Sequence, residues 1–138
     1  MKAITAMLSA AAALGLAAIN TEAVAADPCT NVTFKFTNSH KEGRDIKVVK
    51  VKFTNPHNGG KEQTEGVKNT VCKPGATCST GGDDLSNAAK VDLKNIKLVF
   101  RYLERDGDWS DEFVTLPFAP GLPKCTNGSH YGTIIVYG

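Results

Sequence analysis

An all-β fold is predicted, an antiparallel β-sandwich of about six to eight strands with immunoglobulin-like or related Greek-key connections. Three observations predict it. Short runs with apolar residues at alternate positions recur along the chain, clusters of Gly, Pro and Asn separate them, and no stretch of any length has helical periodicity. A small closed barrel would show the same periodicities and stands as the alternative.

The chain opens with Lys2, an apolar alanine- and leucine-rich run from Ala3 to Ile19, and the small-residue triplet Ala23-Val24-Ala25. This is the pattern of a secretory signal over residues 1–25, with cleavage expected before Ala26. Residues 26–138 would then form one exported domain, periplasmic or extracellular. Its 113 residues suffice for a single core and are few enough that cross-links matter to stability. No later segment is long or apolar enough to span a bilayer.

Val32, Phe34 and Phe36 alternate with Thr33, Lys35 and Thr37, which describes a half-buried first strand. In the next run, Ile46 and Val48 share one parity while Val49, Val51 and Phe53 share the other. One face can stay inward only if a β-bulge near Val48-Val49 absorbs one residue. Asn55 to Gly60 is a turn cluster, and the polar run from Lys61 to Cys72 suits an edge strand. Ser79 to Lys90 is expected to cross between sheets. Its Gly81-Gly82-Asp83-Asp84 would begin a loop or one helical turn, with Asp84 as a cap for Leu85 to Ala89. Val91 to Leu103 is predicted to be the longest and most centrally buried strand. Glu112 to Phe118, closed by Pro117 and Pro120, and Tyr131 to Tyr137 complete the set.

Four cysteines in an exported chain allow three pairings. Lys73-Pro74-Gly75-Ala76-Thr77 reads as a turn that brings Cys72 to Cys78, leaving Cys29 for Cys125. Neither a zinc nor a redox C-x-x-C spacing is present, so the expected role is structural.

The intact chain carries 16 basic and 14 acidic residues, a net charge of +2. Ala26 to Gly75 holds nine basic and five acidic residues, and Ala76 to Gly138 six and eight. Lys47, Lys50 and Lys52 project away from the apolar side of their strand, and Lys35 joins them if its strand pairs next door, making a candidate basic face. Trp109, the only tryptophan, sits among acids in a loop, where exposure would make it a binding anchor. The same loop offers Asp106, Asp108 and Ser110 as a weak oxygen set for calcium, although glycine at the sixth loop position and an acid at the twelfth are missing.

His40, His57 and His130 are the available imidazole bases, and Ser129 stands beside His130. Neighbours on extended backbone point to opposite faces, so these two cannot pair as nucleophile and base. No nucleophile-elbow or zincin motif occurs. Asn31-Val32-Thr33 and Asn127-Gly128-Ser129 match the short N-glycosylation pattern. The expected function is non-enzymatic and needs no cofactor: an exported envelope, adhesion, inhibitor or effector component that binds a protein or envelope macromolecule through the lysine face or Trp109. The alternatives are a protein acting at an anionic membrane surface, and a hydrolase with a loop-built site. Modest net charge and the lack of interleaved aromatic and basic residues argue against nucleic acid.

Overall fold

The computed structural model describes residues 26–118 and 124–138, so the expected export segment and Pro120 lie outside the described residues. The strands are β1 (Cys29–Ser39), β2 (Ile46–Asn55), β3 (Lys61–Cys72), β4 (Thr77–Ser79), β5 (Asp83–Leu85), β6 (Lys94–Tyr102), β7 (Phe113–Val114) and β8 (His130–Tyr137). They form two sheets. One has the order β3-β2-β6-β7, and the other is built around β1, with β4, β5 and β8 as its partners.

The sandwich connections follow from hairpins at polar turns and crossings elsewhere. Strand β2 turns into β3 through Pro56–Asn58, where Asn55 Oδ1 accepts the His57 N–H at 2.9 Å. The chain then crosses to β1, returns to β6 beside β2, and turns into β7. The result is an all-β sandwich of two packed sheets. All pairings are antiparallel except one: β8 runs parallel to β1, from Thr33↔His130 to Ser39↔Tyr137. Gly132 is required at the irregularity in that ladder. Its φ is +151°, and a Cβ there would stand 2.5 Å from the Lys35 carbonyl oxygen.

The bulge in β2 falls where the parity switch requires it. Val48 pairs with Phe100 and Lys50 with Val99, so Val49 has no partner of its own on β6. Ile46, Val48, Val51 and Phe53 consequently all reach the core, where Phe34, Phe36, Leu85, Ile96 and Leu98 meet them with no exposed surface. β3 is an edge strand, as expected.

Three expectations are corrected. Residues 83–85 are a strand on β1 and not the start of a helical turn. Asp84 Oδ1 accepts the Asn31 N–H and Asp83 Oδ2 the Lys68 N–H, so both carboxylates bind neighbouring strands and neither caps a helix. Most of the segment from Ser79 therefore lies along β1 before it crosses. β4 and β5 occupy one lane on the same edge of β1, bridged at their interruption by Thr80. The Thr80 N–H donates to the Phe34 carbonyl, and the Thr80 hydroxyl accepts the Phe34 N–H, both at 3.0 Å. Finally, β6 has 9 residues and is central, whereas the 12-residue β3 is the longest strand. β7 keeps only two ladder residues of the predicted run from Glu112 to Phe118, although Thr115 and Phe118 still bond to Leu98 and Ile96.

Both disulfides join as expected. Cys72–Cys78 links the end of β3 to β4, and so one sheet to the other along one margin. The Pro74-Gly75 turn between them is closed by Ala76 N–H donating to Lys73 O at 3.0 Å, with Gly75 at φ +80°. Cys29–Cys125 ties the start of β1 to the segment before β8 across 96 positions. Two disulfides and no free cysteine among the described residues indicate an oxidising environment.

In the chain-entropy picture the long loop stabilises by about 4.7 kcal/mol and the short one by about 2.4 kcal/mol. Replacing Cys29 and Cys125 by alanine should therefore cost roughly twice as much as replacing Cys72 and Cys78, read from urea denaturation. Equal losses would contradict loop closure as the source of the stability.

Candidate functional site

The lysines singled out in the sequence divide between the two sheets. Lys47, Lys50 and Lys52 lie on the outer face of β2, whereas Lys35 is on β1 in the opposite sheet, so the four do not form one face. The β2 face also carries its own anions. In the β2–β6 ladder Lys47 stands opposite Arg101 and Lys52 opposite Lys97, an arrangement that repels unless neighbours compensate. Glu62 does so from β3, 2.8 Å from Lys97 and 3.8 Å from Lys52. Glu112 does so from beside β7, 3.1 Å from Lys50 and 3.3 Å from Arg101. Hydrogen bonds from Lys97 and Lys50 respectively hold these two carboxyls below the usual carboxylate range.

Trp109 is half-buried and turned onto this same face, with Lys47 Nζ 4.4 Å from its ring centroid. Its position is set by the β6–β7 hairpin: Leu103 bridges Trp109, and Glu104 N–H donates to Asp108 O at 2.8 Å. The same turn engages part of the oxygen set considered for calcium. Asp106 Oδ1 accepts the Asp108 N–H, and Ser110 is 3% exposed, its hydroxyl accepting from Tyr102 N–H and donating to Asp111 O. Asp106 Oδ1 and Ser110 Oγ are thus taken up by the turn's own hydrogen bonds. Among the described residues no three His, Cys, Asp or Glu side chains gather as a metal site.

The histidines are spread over separate places. His130 Nδ1 bonds the Thr33 hydroxyl, and Ser129 Oγ accepts the Thr126 N–H, so Ser129 and His130 do not address each other. His57 sits in the β2–β3 turn. His40 is buried against Tyr102, with ring centroids 4.7 Å apart, and its Nδ1 accepts the Glu42 N–H at 3.2 Å. Burial, assisted by Arg44 and Lys41, lowers its pKa against the opposing pull of Glu42.

The densest exposed apolar surface lies elsewhere, along the margin opposite Cys72–Cys78. There β7 and its continuation to Phe118 face β8. Leu116 is 82% exposed and Tyr137 67%, with Val114, Phe113 and Ile135 each close to half exposed. Two cavities open between these segments. One of about 400 Å³ is bounded by Val114 to Phe118, Ile134, Ile135 and Tyr137. The second, of about 340 Å³, is bounded by Phe100, Tyr102, Phe113, Val114, Tyr137 and the His40 loop. Phe113 packs on Tyr102 and Phe100 with centroids 5.6 and 6.0 Å apart, which fixes the aromatic wall. Sequence reasoning missed this groove. Its signal was present in Phe113-Val114 and Ile134-Ile135-Val136-Tyr137, apolar on both parities in strands short enough or late enough to lie at an edge.

No family model, no curated protein and no solved structure matches this chain. The site is therefore read from its own geometry.

Stability should depend on His40. Its folded pKa lies below the ordinary value of about 6.5, so the unfolded chain takes up a proton first as pH falls. The contribution of neutral His40 is complete above that value and is lost as pH drops through the folded pKa. Urea midpoints should fall as the pH drops below about 6.5, and His40→Gln should flatten that part of the profile. An unchanged slope in the variant would refute the assignment. Removing the compensating acids should unmask the lysine face: Glu62→Gln with Glu112→Gln should bind phosphatidylserine vesicles at physiological ionic strength far more strongly than the unaltered protein in a sedimentation assay. Equal binding would show that these ion pairs do not mask it.

Proposed function

We propose that this chain is an exported, non-enzymatic β-sandwich that binds another macromolecule in the periplasm or outside the cell, as an envelope, adhesion, inhibitor or effector component. The observation that carries the reading is the apolar groove between β7 and β8. Leu116, Tyr137, Val114, Phe113 and Ile135, five of the six large apolar side chains exposed among the described residues, stand around two adjoining cavities. A frame stapled by two disulfides loses little freedom on binding, which favours affinity from a modest surface.

The lysine face supports the reading less, because Glu62 and Glu112 occupy Lys50, Lys52, Lys97 and Arg101. The same pairing weakens the membrane-surface alternative, which requires uncompensated cations. A hydrolase gains no support from His40, His57 or His130, whose surroundings are separate.

The test is affinity capture with the oxidised protein as bait, beside Leu116→Asp and a Lys47→Glu, Lys50→Glu, Lys52→Glu variant. Burying a leucine this exposed is worth about 2 kcal/mol, so Leu116→Asp should weaken retention at least tenfold while the lysine variant keeps it. Retention lost only in the lysine variant would return the site to the β2 face.

A further inference from the structure

We infer that the groove takes an extended peptide strand, which adds to the free edge of β8 and lays alternate apolar side chains against β7; this deepens the binding reading above and rests on it. The first observation is a mismatch in width. One sheet has four lanes, β3-β2-β6-β7, and the other three, because β4 and β5 share a lane beside β1 and β8 closes the far side. Cys72–Cys78 pins β3 to β4 at one margin. Counted from that pin, the three lanes answer β3, β2 and β6, and β7 hangs past β8 with no strand opposite it. The two cavities lie at this overhang, bounded by Phe113 to Phe118 on one side and Ile134 to Gly138 on the other.

The second observation is the chemistry of the edges. Sheet edges attract stray strands unless charge, proline or shortness prevents it. β3 carries Lys61, Glu62, Glu65 and Lys68, β4 and β5 are three residues each, and β7 is two. Beyond the irregularity at Gly132, β8 has none of these guards. Tyr131 to Tyr137 contains no charge and no proline, and among the described residues its only ladder is with β1. Among the described residues, the eight residues of β8 offer an unpaired edge roughly 26 Å long at the usual rise per residue, interrupted at Gly132.

The occupant is a lone strand and not a second folded copy. A copy pairing through its own β8 would bring its own β6 with it, into the space that the overhanging β7 already fills. A single extended segment has no such second layer. Its main chain would bond the β8 edge, and its inward side chains, every second residue, would be aliphatic or aromatic to suit Phe113 and Phe118, which share the inner face with Phe100 and Ile96, and Ile134 on β8.

The test uses the oxidised protein and a panel of nine-residue synthetic peptides alternating Thr with Val, Ile or Phe, read by amide hydrogen exchange along β8. Control peptides have the same composition with the alternation scrambled, or carry N-methyl groups on the amides of one edge. Alternating peptides should slow exchange at β8 amides, and N-methylation of the bonding edge should weaken binding at least about tenfold, since several main-chain hydrogen bonds are lost together. Undiminished binding of both N-methylated forms would overturn strand addition while leaving the groove as a peptide site. Decanoate, and no peptide, perturbing Val114 to Phe118 would overturn it in favour of a lipid ligand. Protection of β8 that rises with protein concentration in the absence of peptide would overturn it in favour of self-association. Binding mapped away from β7 and β8 would defeat the groove reading as well.

Discussion

Cys72–Cys78 closes the sandwich along one margin, and the rest of the architecture is arranged from that closure. It holds the end of β3 against β4 over a tight Pro-Gly turn, so the two sheets cannot shear apart on that side. A four-lane sheet registered at this margin against a three-lane sheet must overhang at the other. The apolar groove is therefore a consequence of strand count and covalent registration together, and no loop has to be invoked to build it.

The outer face of β2 and β6 balances its own charge. On β2 and β6, lysines and arginines stand opposite one another, which keeps the sheet surface wet but would be repulsive by itself. Glu62 and Glu112, arriving from the flanking strands, relieve it. The polar groups inside serve continuity of the backbone. Thr80 fills the gap between β4 and β5, Asn55 satisfies the turn after β2, and Asn38 donates to the Arg44 and Cys72 carbonyls where β1 leaves the core. Tyr131 is the exception. Its hydroxyl is buried without a hydrogen-bond partner among the described residues, and burial raises its pKa.

Period-two alternation located β1 and β2, because a half-buried strand writes its inner face into the chain one residue in two, whereas the 12-residue β3 was placed only as a polar run after a turn cluster. The parity switch at Val48-Val49 even located the bulge, since keeping Ile46, Val48, Val51 and Phe53 in one core permits no other register. Alternation failed at Asp83 to Leu85, where three residues are too few to show a period and acidic side chains imitate a cap. It also overrated the Val91 to Leu103 run. The chain's apolar pattern there begins before the ladder does, and pairing is decided by the partner strand as well as by the strand itself.

By itself the sequence determined the all-β class, the Cys72–Cys78 pair with Cys29–Cys125 left by elimination, the bulge and the division of lysines from apolar positions along β2, since these depend on residues close in the chain, on simple parity or on elimination. Only the tertiary structure decided which strands became neighbours. That decision separated Lys35 from Lys47, Lys50 and Lys52, set Glu62 and Glu112 among the cations, turned Trp109 onto Lys47, and left β8 parallel to β1 with its far edge open. The reason is physical: charge pairing and groove formation depend on distances between residues tens of positions apart, and the hydrophobic pattern of a strand says which face turns inward but not which strand lies beside it.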